Sequence, residues 1–286
     1  LYAVRTGITR DDSAKMWLPR LNHALANTFV RQKEWRLALI SLQDMLTSAE
    51  YAMDSLNQDP TATSVLISCA ECYILSRQGR VLLQIGALEE AYAIFEQANA
   101  KYNSLATATT TTTSSAHAIM WTYVHIHMNH GLWHFAKQSY DTSYSSFHSA
   151  LEVLNSKIQP SDSLFAHHEF QTPCCLGMTV VNTSHNEIAV VSKHDVANLV
   201  TECVNNIALC ALYTSRMHDA VHELEELVRR DPTLYVTEGL IFNLCTLYEL
   251  GAEQTLSTKK KRTLQWICKR FFLHDIGPES FRIANS

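Results

Sequence analysis

The chain has 286 residues, 47% apolar and 18% charged, a globular balance that excludes a disordered chain. Its eight Gly and six Pro are too few for an all-β fold with many tight turns, and its net charge of −5 gives no general electrostatic reason to bind nucleic acid. Eight Cys fall below the density of a disulfide scaffold, which indicates a reducing compartment. The chain contains no uninterrupted apolar run of about 18 residues, so no segment is expected to span a membrane. The start at Leu1, without Met or a signal-peptide pattern, is expected of a piece of a longer protein.

A repeated spacing of small and large residues predicts pairs of helices along the chain. Near the start, Ala26 and Ala38 lie 12 residues apart and Leu42 follows four residues later. Small residues let two helices cross closely, and residues three or four apart share a helix face. The same spacing recurs in two further sets: Gly79, Leu82, Ala91, Phe95 and Ala98, and then Gly131, His134, Ser143, Phe147 and Ala150.

The clearest unit spans 197–232. Ala208 and Ala220 again lie 12 residues apart, Leu224 follows four later, and Pro232 ends the second helix because proline cannot continue one. This is the pattern of the tetratricopeptide repeat (TPR), whose stacked helix–turn–helix units share a continuous core. We predict one all-α TPR-like solenoid domain over 1–286, of about four and a half units; an unrelated helical bundle is the alternative. The units are placed at about 16–57, 64–105, 117–158, 197–232 and 235–274.

Two inserted loops are predicted to interrupt the array, at about 106–116 and 156–194. In the first, Thr107–Ser115 is nearly all Thr and Ser, and such residues without apolar partners neither hold a helix nor bury a face. In the second, apolar and polar residues alternate weakly over Thr179–Val191. This alternation predicts a short hairpin with Asn182–Asn186 as its turn.

Histidine and cysteine clusters raise the alternative of a zinc-dependent or thiol enzyme. His127, His130 and His134 share one helix face, but no acidic residue lies among them to orient the imidazoles. Cys69 and Cys72 have metal-pair spacing inside a helical pattern, so buried thiols are the preferred interpretation. The second Cys/His group is mismatched in spacing: Cys174, Cys175, His167 and His168.

No catalytic signature accompanies these clusters. The chain has no nucleophile elbow, phosphate-cradling Gly loop or His-Glu-x-x-His motif. We therefore predict that the protein is not an enzyme and has no catalytic residues, metal or cofactor. The one sharp basic run, 259–262, is interpreted as a solvated helix face; a nuclear signal or a patch for an acidic lipid or partner is the alternative.

A TPR solenoid offers a concave surface lined by the first helix of each unit, which predicts protein recognition. The amides of Asn205, Asn206 and Asn243 are the candidate partner-binding groups, because amides bond a peptide backbone without demanding its sequence. The alternative for each is a helix–helix hydrogen bond. A co-chaperone-type groove for a C-terminal carboxylate would need cations on successive first helices. Arg20 and Arg31 are present on the first, but the fourth, 197–214, has no Lys or Arg.

Several segments resemble one known family. An Asn-Asn-rich helix at 205–210, a Leu-Glu-x-x-Val helix at 223–228, Asp231-Pro232, and a Phe-Asn-Leu-x-Thr-x-Tyr-Glu-Leu helix at 238–250 occur in that order. They resemble the C-terminal end of the subunit 12 family of the transport protein particle (TRAPP) complex. Further similar segments lie at 16–21, 79–86 and 280–284. The Thr-rich loop and the 156–194 insertion depart from the family pattern.

The resemblance implies a non-enzymatic scaffold subunit of a membrane-tethering assembly. Such an assembly acts between endoplasmic reticulum and Golgi and in autophagy, and as a whole promotes nucleotide exchange on a Rab-type GTPase. The implied partners are other TRAPP subunits. The implied location is cytoplasmic, at ER–Golgi intermediate and Golgi membranes, with membrane contact only through the complex.

Overall fold

Successive helix–turn–helix pairs build an all-α TPR-like solenoid, as predicted. The computed structural model describes residues 12–55, 62–107, 113–156, 171–175, 178–183, 186–191 and 193–283. The first three pairs are α1 (Asp12–Arg31) with α2 (Trp35–Ser55), α3 (Ala62–Gln84) with α4 (Leu88–Thr107), and α5 (Thr113–Ala136) with α6 (Tyr140–Ser156). Then come α7 (Lys193–Tyr213), α8 (Met217–Arg230), the short α9 (Pro232–Tyr235), α10 (Glu238–Gly251), α11 (Gln254–Arg270) and a 3-10 helix, Pro278–Phe281. The single-domain assignment of 1–286 stays a prediction.

A small residue opposite a large one sets the crossing inside each of the first four pairs. Gly79 of α3 faces Phe95 of α4, and Gly131 of α5 faces Phe147 of α6; a methyl group added to either glycine would overlap the ring that it faces. The phenylalanines are buried. The equivalent positions in the first and fourth pairs hold Ala with Leu: Ala26 with Leu42, and Ala208 with Leu224. The two helices of a pair thus have complementary side-chain volumes.

The second small position of the spacing is fully buried in all four pairs, at Ala38, Ala91, Ser143 and Ala220. Ser143 carries a hydroxyl where the others carry a methyl group. That hydroxyl donates to the carbonyl oxygen of Gly131 at 2.7 Å and accepts from the Cys210 thiol at 3.3 Å. Because its polar atom is satisfied, serine is tolerated at this core position.

The turns inside the four pairs share one backbone conformation. Each places one residue in the left-handed region: Lys33, Gly86, Gln138 and Ser215, with φ of 60°, 84°, 61° and 62°. In the first turn, Glu34 N donates to Phe29 O and Lys33 N to Val30 O, the Schellman pattern that satisfies the last carbonyls of a helix. The recurrence of this cap makes the pairs geometrically equivalent.

The predicted loops differ from the structure at their ends. Helix α4 continues to Thr107 and α5 begins at Thr113, so Thr107–Ser115 is not a loop throughout; 108–112 lie outside the described residues. The Thr107 hydroxyl donates to the carbonyl oxygens of Asn103 and Ser104, which supports a β-branched residue in the last helical turn.

The second insertion contains a three-stranded antiparallel sheet of β1 (Gln171–Cys175), β2 (Met178–Thr183) and β3 (Asn186–Val191), in that order. The predicted hairpin is present, with Val181 paired to Ile188. Asn182 and Asn186 belong to the strands and not to the turn, since Asn182 pairs with Glu187 and Asn186 with Thr183. The sheet lies on first helices, because β1 contacts α1 and α3 and β3 contacts α5.

Helix α7 is long and apolar enough, by length and composition alone, to span a membrane, although the sequence shows no uninterrupted apolar run there. Most of its apolar side chains are buried inside the protein, among them Val200, Cys203, Ile207 and Cys210. It packs between α6 and α8. This burial is typical of a core helix of a repeat array.

Gly131→Ala is expected to lower the free energy of unfolding by about 1–2 kcal/mol, because overpacking against Phe147 outweighs the better helix propensity of Ala. Adding Phe147→Leu recreates the Ala–Leu pair of the first and fourth units and should restore part of that loss. A double-mutant cycle by urea denaturation measures the coupling. Gly239→Ala is the control, since no atom lies within 4 Å of its added methyl group. Additive effects of the two substitutions would contradict the complementary-volume account.

Candidate partner-binding surface

Polar side chains connect the first helices of neighbouring units. Arg77 of α3 donates to the Asn27 amide oxygen of α1. Arg80, one turn further along α3, donates from Nε to Asn129 Oδ1 of α5 at 3.0 Å. Asn129 in turn donates to Ser76 Oγ at 2.7 Å. These hydrogen bonds join successive units, so the side chains that make them are not available to bind a ligand.

His125 of α5 belongs to the same inter-unit network. Its Nδ1 lies 3.2 Å from Arg80 Nη2, and since guanidinium can only donate, Nδ1 accepts. Burial, together with the charges of Arg80 and Arg77, holds the pKa of His125 well below its ordinary value. Burial and Arg77 likewise lower the pKa of His23 on α1 to about 4. Both imidazoles are therefore neutral at neutral pH and act as packing groups.

The three candidate amides have different surroundings. Asn243 of α10 donates to Asn205 Oδ1 of α7 at 2.9 Å, the helix–helix hydrogen bond that was the alternative for these residues. Asn206 is half-buried and has no hydrogen-bond partner within the described ranges. A role of Asn205, Asn206 and Asn243 in binding a partner stays a prediction, and Asn206 is the amide available for it.

Among the described residues, the histidine cluster of α5 and the cysteine pair of α3 do not form a zinc site. Within the residues that the structure describes, no three His, Cys, Asp or Glu side chains come close enough to hold a metal ion. Burial lowers the pKa of His127, His130 and His134 and raises the pKa of Cys72 to about 12. Six cysteines are buried thiols, as interpreted from the sequence: Cys69, Cys72, Cys203, Cys210, Cys245 and Cys268. The side chains of His167, His168, Cys174 and Cys175 lie outside the described residues.

The basic run was wrongly interpreted as a solvated face throughout. Lys261 of α11 is buried, and its Nζ donates to Glu249 of α10 and to the Arg282 carbonyl oxygen at 3.1 Å. Lys260 Nζ lies 3.0 Å from Glu225 Oε1 of α8 and 4.6 Å from the centre of the Tyr248 ring. The heptad-like spacing of the buried face, Ser257, Lys261, Leu264 and Cys268, was the sequence signal for this burial.

Glu225 is the centre of a clamp between three helices. It accepts hydrogen bonds from Lys260 of α11 and, at 2.9 Å, from the Tyr248 hydroxyl of α10, and it pairs with Arg229 one turn along α8. Burial by itself would raise the pKa of Glu225. The hydrogen bonds from Lys260 and Tyr248 outweigh this effect and bring that pKa below its ordinary value. Glu225, Tyr248 and Glu249 all belong to the segments that resemble the TRAPP family, so those segments contain the contacts that attach α11 to α8 and α10.

Comparison with known proteins gives a partial match. No model of a known protein family matches the chain. The chain is similar to trafficking protein particle complex subunit 12 of Mus musculus and of Homo sapiens, each 36% identical over 89 residues. That stretch is 31% of this chain and 11% and 12% of the two relatives, so the match spans about a tenth of the length of either relative. The resemblance proposed from the sequence is confirmed over this stretch.

The solved structures include a similar repeat protein. A kinesin light chain of Podosopora anserina with nearly identical TPR-like repeats aligns over 89% of this chain and 97% of its own. The TM-score is 0.48 and the sequence identity is 11%.

Lys261→Met is expected to lower the free energy of unfolding by about 1–3 kcal/mol, because Glu249 and the Arg282 carbonyl lose a buried charged donor. Lys259→Met, two residues earlier on the exposed face, is the control and should leave stability nearly unchanged. Urea denaturation of both variants at neutral pH makes the comparison. Equal stability of the two variants would show that the buried pair contributes nothing net.

Proposed function

We propose that this chain is a non-catalytic scaffold in a TRAPP-type tethering and Rab-exchange-factor complex, and that it holds other subunits of that complex. The observation that carries the proposal is the 36% identity over 89 residues to TRAPP subunit 12. The repeat fold supports it, because stacked helix pairs offer an extended surface for protein recognition. The corresponding setting is ER-to-Golgi transport and autophagy, in the cytoplasm at the membranes of the ER–Golgi intermediate and Golgi.

The surface proposed for subunit binding is the first-helix face of α7 and α10. In the first three units, the sheet of the second insertion lies on α1, α3 and α5. On α7 the Asn206 amide is half-buried without a partner among the described residues, and on α10 Phe242 is 43% exposed. An available amide and an exposed ring suit a peptide segment that needs both backbone bonds and apolar contact.

The co-chaperone alternative receives less support. Its carboxylate clamp needs free cations on successive first helices. Arg77 and Arg80 lie on α3, but both are already bonded to α1 and α5. Arg31 is exposed at the end of α1 and the side chain of Arg20 lies outside the described residues.

Asn206→Ala in the tagged full-length protein is expected to reduce co-purification of TRAPP subunits several-fold without changing the melting temperature, because its amide makes no bond inside the described structure. Asn205→Ala is the matched control: it removes the bond to Asn243 and should cost about 1 kcal/mol of stability while the folded protein still binds. Affinity purification with quantitative mass spectrometry reads out binding, and thermal unfolding reads out stability.

Either of two results would contradict this proposal. Absence of stoichiometric TRAPP subunits from the wild-type purification would overturn the scaffold assignment. Recovery of TRAPP subunits by wild type and Asn206→Ala alike would keep the scaffold but reject the α7–α10 face as its binding surface.

A further inference from the structure

The segment from Gln254 to His274 differs in charge from the rest of the protein. It contains no Asp or Glu, although the whole chain has a net charge of −5. It contains six of the basic side chains: Lys259, Lys260, Lys261, Arg262, Lys269 and Arg270. Helix α11 is therefore a cationic element in an acidic protein.

Two of these six cations are neutralised and four are not. Lys260 and Lys261 pair with Glu225 and Glu249. The other four are exposed and have no acidic partner within the described part of the chain: Lys259, Arg262, Lys269 and Arg270. Arg262 follows Lys259 by three residues, Trp266 follows Arg262 by four, and Lys269 and Arg270 follow Trp266 by three and four, so all five lie on one face of α11. We call Lys259, Arg262, Trp266, Lys269 and Arg270 the basic stripe.

Aromatic rings are exposed along the basic stripe and just beyond it. The Trp266 side chain is 64% exposed, although Trp is a residue that proteins mostly bury. At the end of α11, Phe271 and Phe272 are 42% and 72% exposed. These rings contribute little to the core, so their exposure calls for a contact outside the described fold.

The backbone at Phe272 adds a second observation. Its φ of 56° lies in the left-handed region, which disfavours bulky residues. The other described residues with positive φ are glycine or polar: Lys33, Gly86, Gln138, Ser215 and Arg282. Phe272 occupies the Schellman cap at the end of α11, where Leu273 N donates to Cys268 O and Phe272 N donates to Lys269 O. The cap accounts for the backbone conformation, but it does not require an exposed aromatic ring at this position.

We propose that the basic stripe, with Phe271 and Phe272, docks on a membrane surface of anionic lipids. Lys and Arg near such a surface are attracted to its headgroups, and Trp and Phe favour the boundary between headgroups and acyl chains. Four unpaired charges of one sign suit a lateral array of mobile headgroups, which needs no fixed complementary geometry. The contact is shallow, because the apolar face of α11 is already packed in the solenoid. This inference does not depend on the scaffold proposal.

Vesicle flotation of the chain tests the proposal with phosphatidylcholine vesicles that contain or lack about 30% phosphatidylserine. Binding is expected only with phosphatidylserine and should fall as salt is raised. Arg262→Gln/Lys269→Gln should weaken it about tenfold or more. Lys33→Gln/Arg36→Gln is the matched control with the same net charge and should bind like wild type; these two exposed cations lie in the first turn and at the start of α2.

Phe272→Gly separates lipid contact from folding. Glycine relieves the left-handed strain, so the melting temperature should stay the same or rise, while vesicle binding should fall. Failure to float with phosphatidylserine, or an equal loss in the Lys33/Arg36 control, would overturn the proposal. If wild type does not float but the Arg262/Lys269 variant loses a co-purifying protein, the stripe is a protein-docking surface and the membrane assignment is wrong.

Discussion

The close crossing of two helices inside each unit is the constraint on which the rest of the structure depends. It requires a small residue on the first helix and a side chain of matching volume on the second, met by Gly with Phe in two pairs and by Ala with Leu in two others. Because protein interiors are close-packed, this volume match fixes how near the helices lie. The shared left-handed turn then fixes their direction, so that successive pairs stack.

Stacking buries polar side chains both between neighbouring units and at the last helices of the described structure, and these two sets are satisfied by different interactions. Between the first three units, amides, imidazole and guanidinium groups of the first helices bond one another across the interface. At the end of the array, where no further unit follows in the described structure, ion pairs centred on Glu225 and Glu249 attach α11 to its neighbours. In both places most of the buried polar atoms have partners, as a stable interior demands; Arg77 Nε and His125 Nε2 have none among the described residues.

These solutions divide the surface between different roles. The inserted sheet lies on the first helices of the first three units, and the face of α7 and α10 is the surface proposed for partner binding. Helix α11 uses one face to complete the core and turns the opposite, cationic face outward. The two proposals together place a protein-binding face and a separate lipid-binding stripe on one molecule, an arrangement that suits a scaffold holding subunits of a tethering assembly against a membrane.

The sequence by itself determined the repeat architecture, because the 12-residue and four-residue spacings of small and large residues recur along the chain and match closely packed helix pairs. It also indicated the buried thiols and the hairpin of the second insertion. Only the tertiary structure decided which polar residues are consumed internally. Asn205 and Asn206 are neighbours of the same type, yet only Asn205 forms a hydrogen bond with Asn243. Likewise, Lys261 is bonded to Glu249, whereas Lys259 is exposed to solvent. Pairing across helices depends on which side chains the fold brings together, and local spacing does not contain that information.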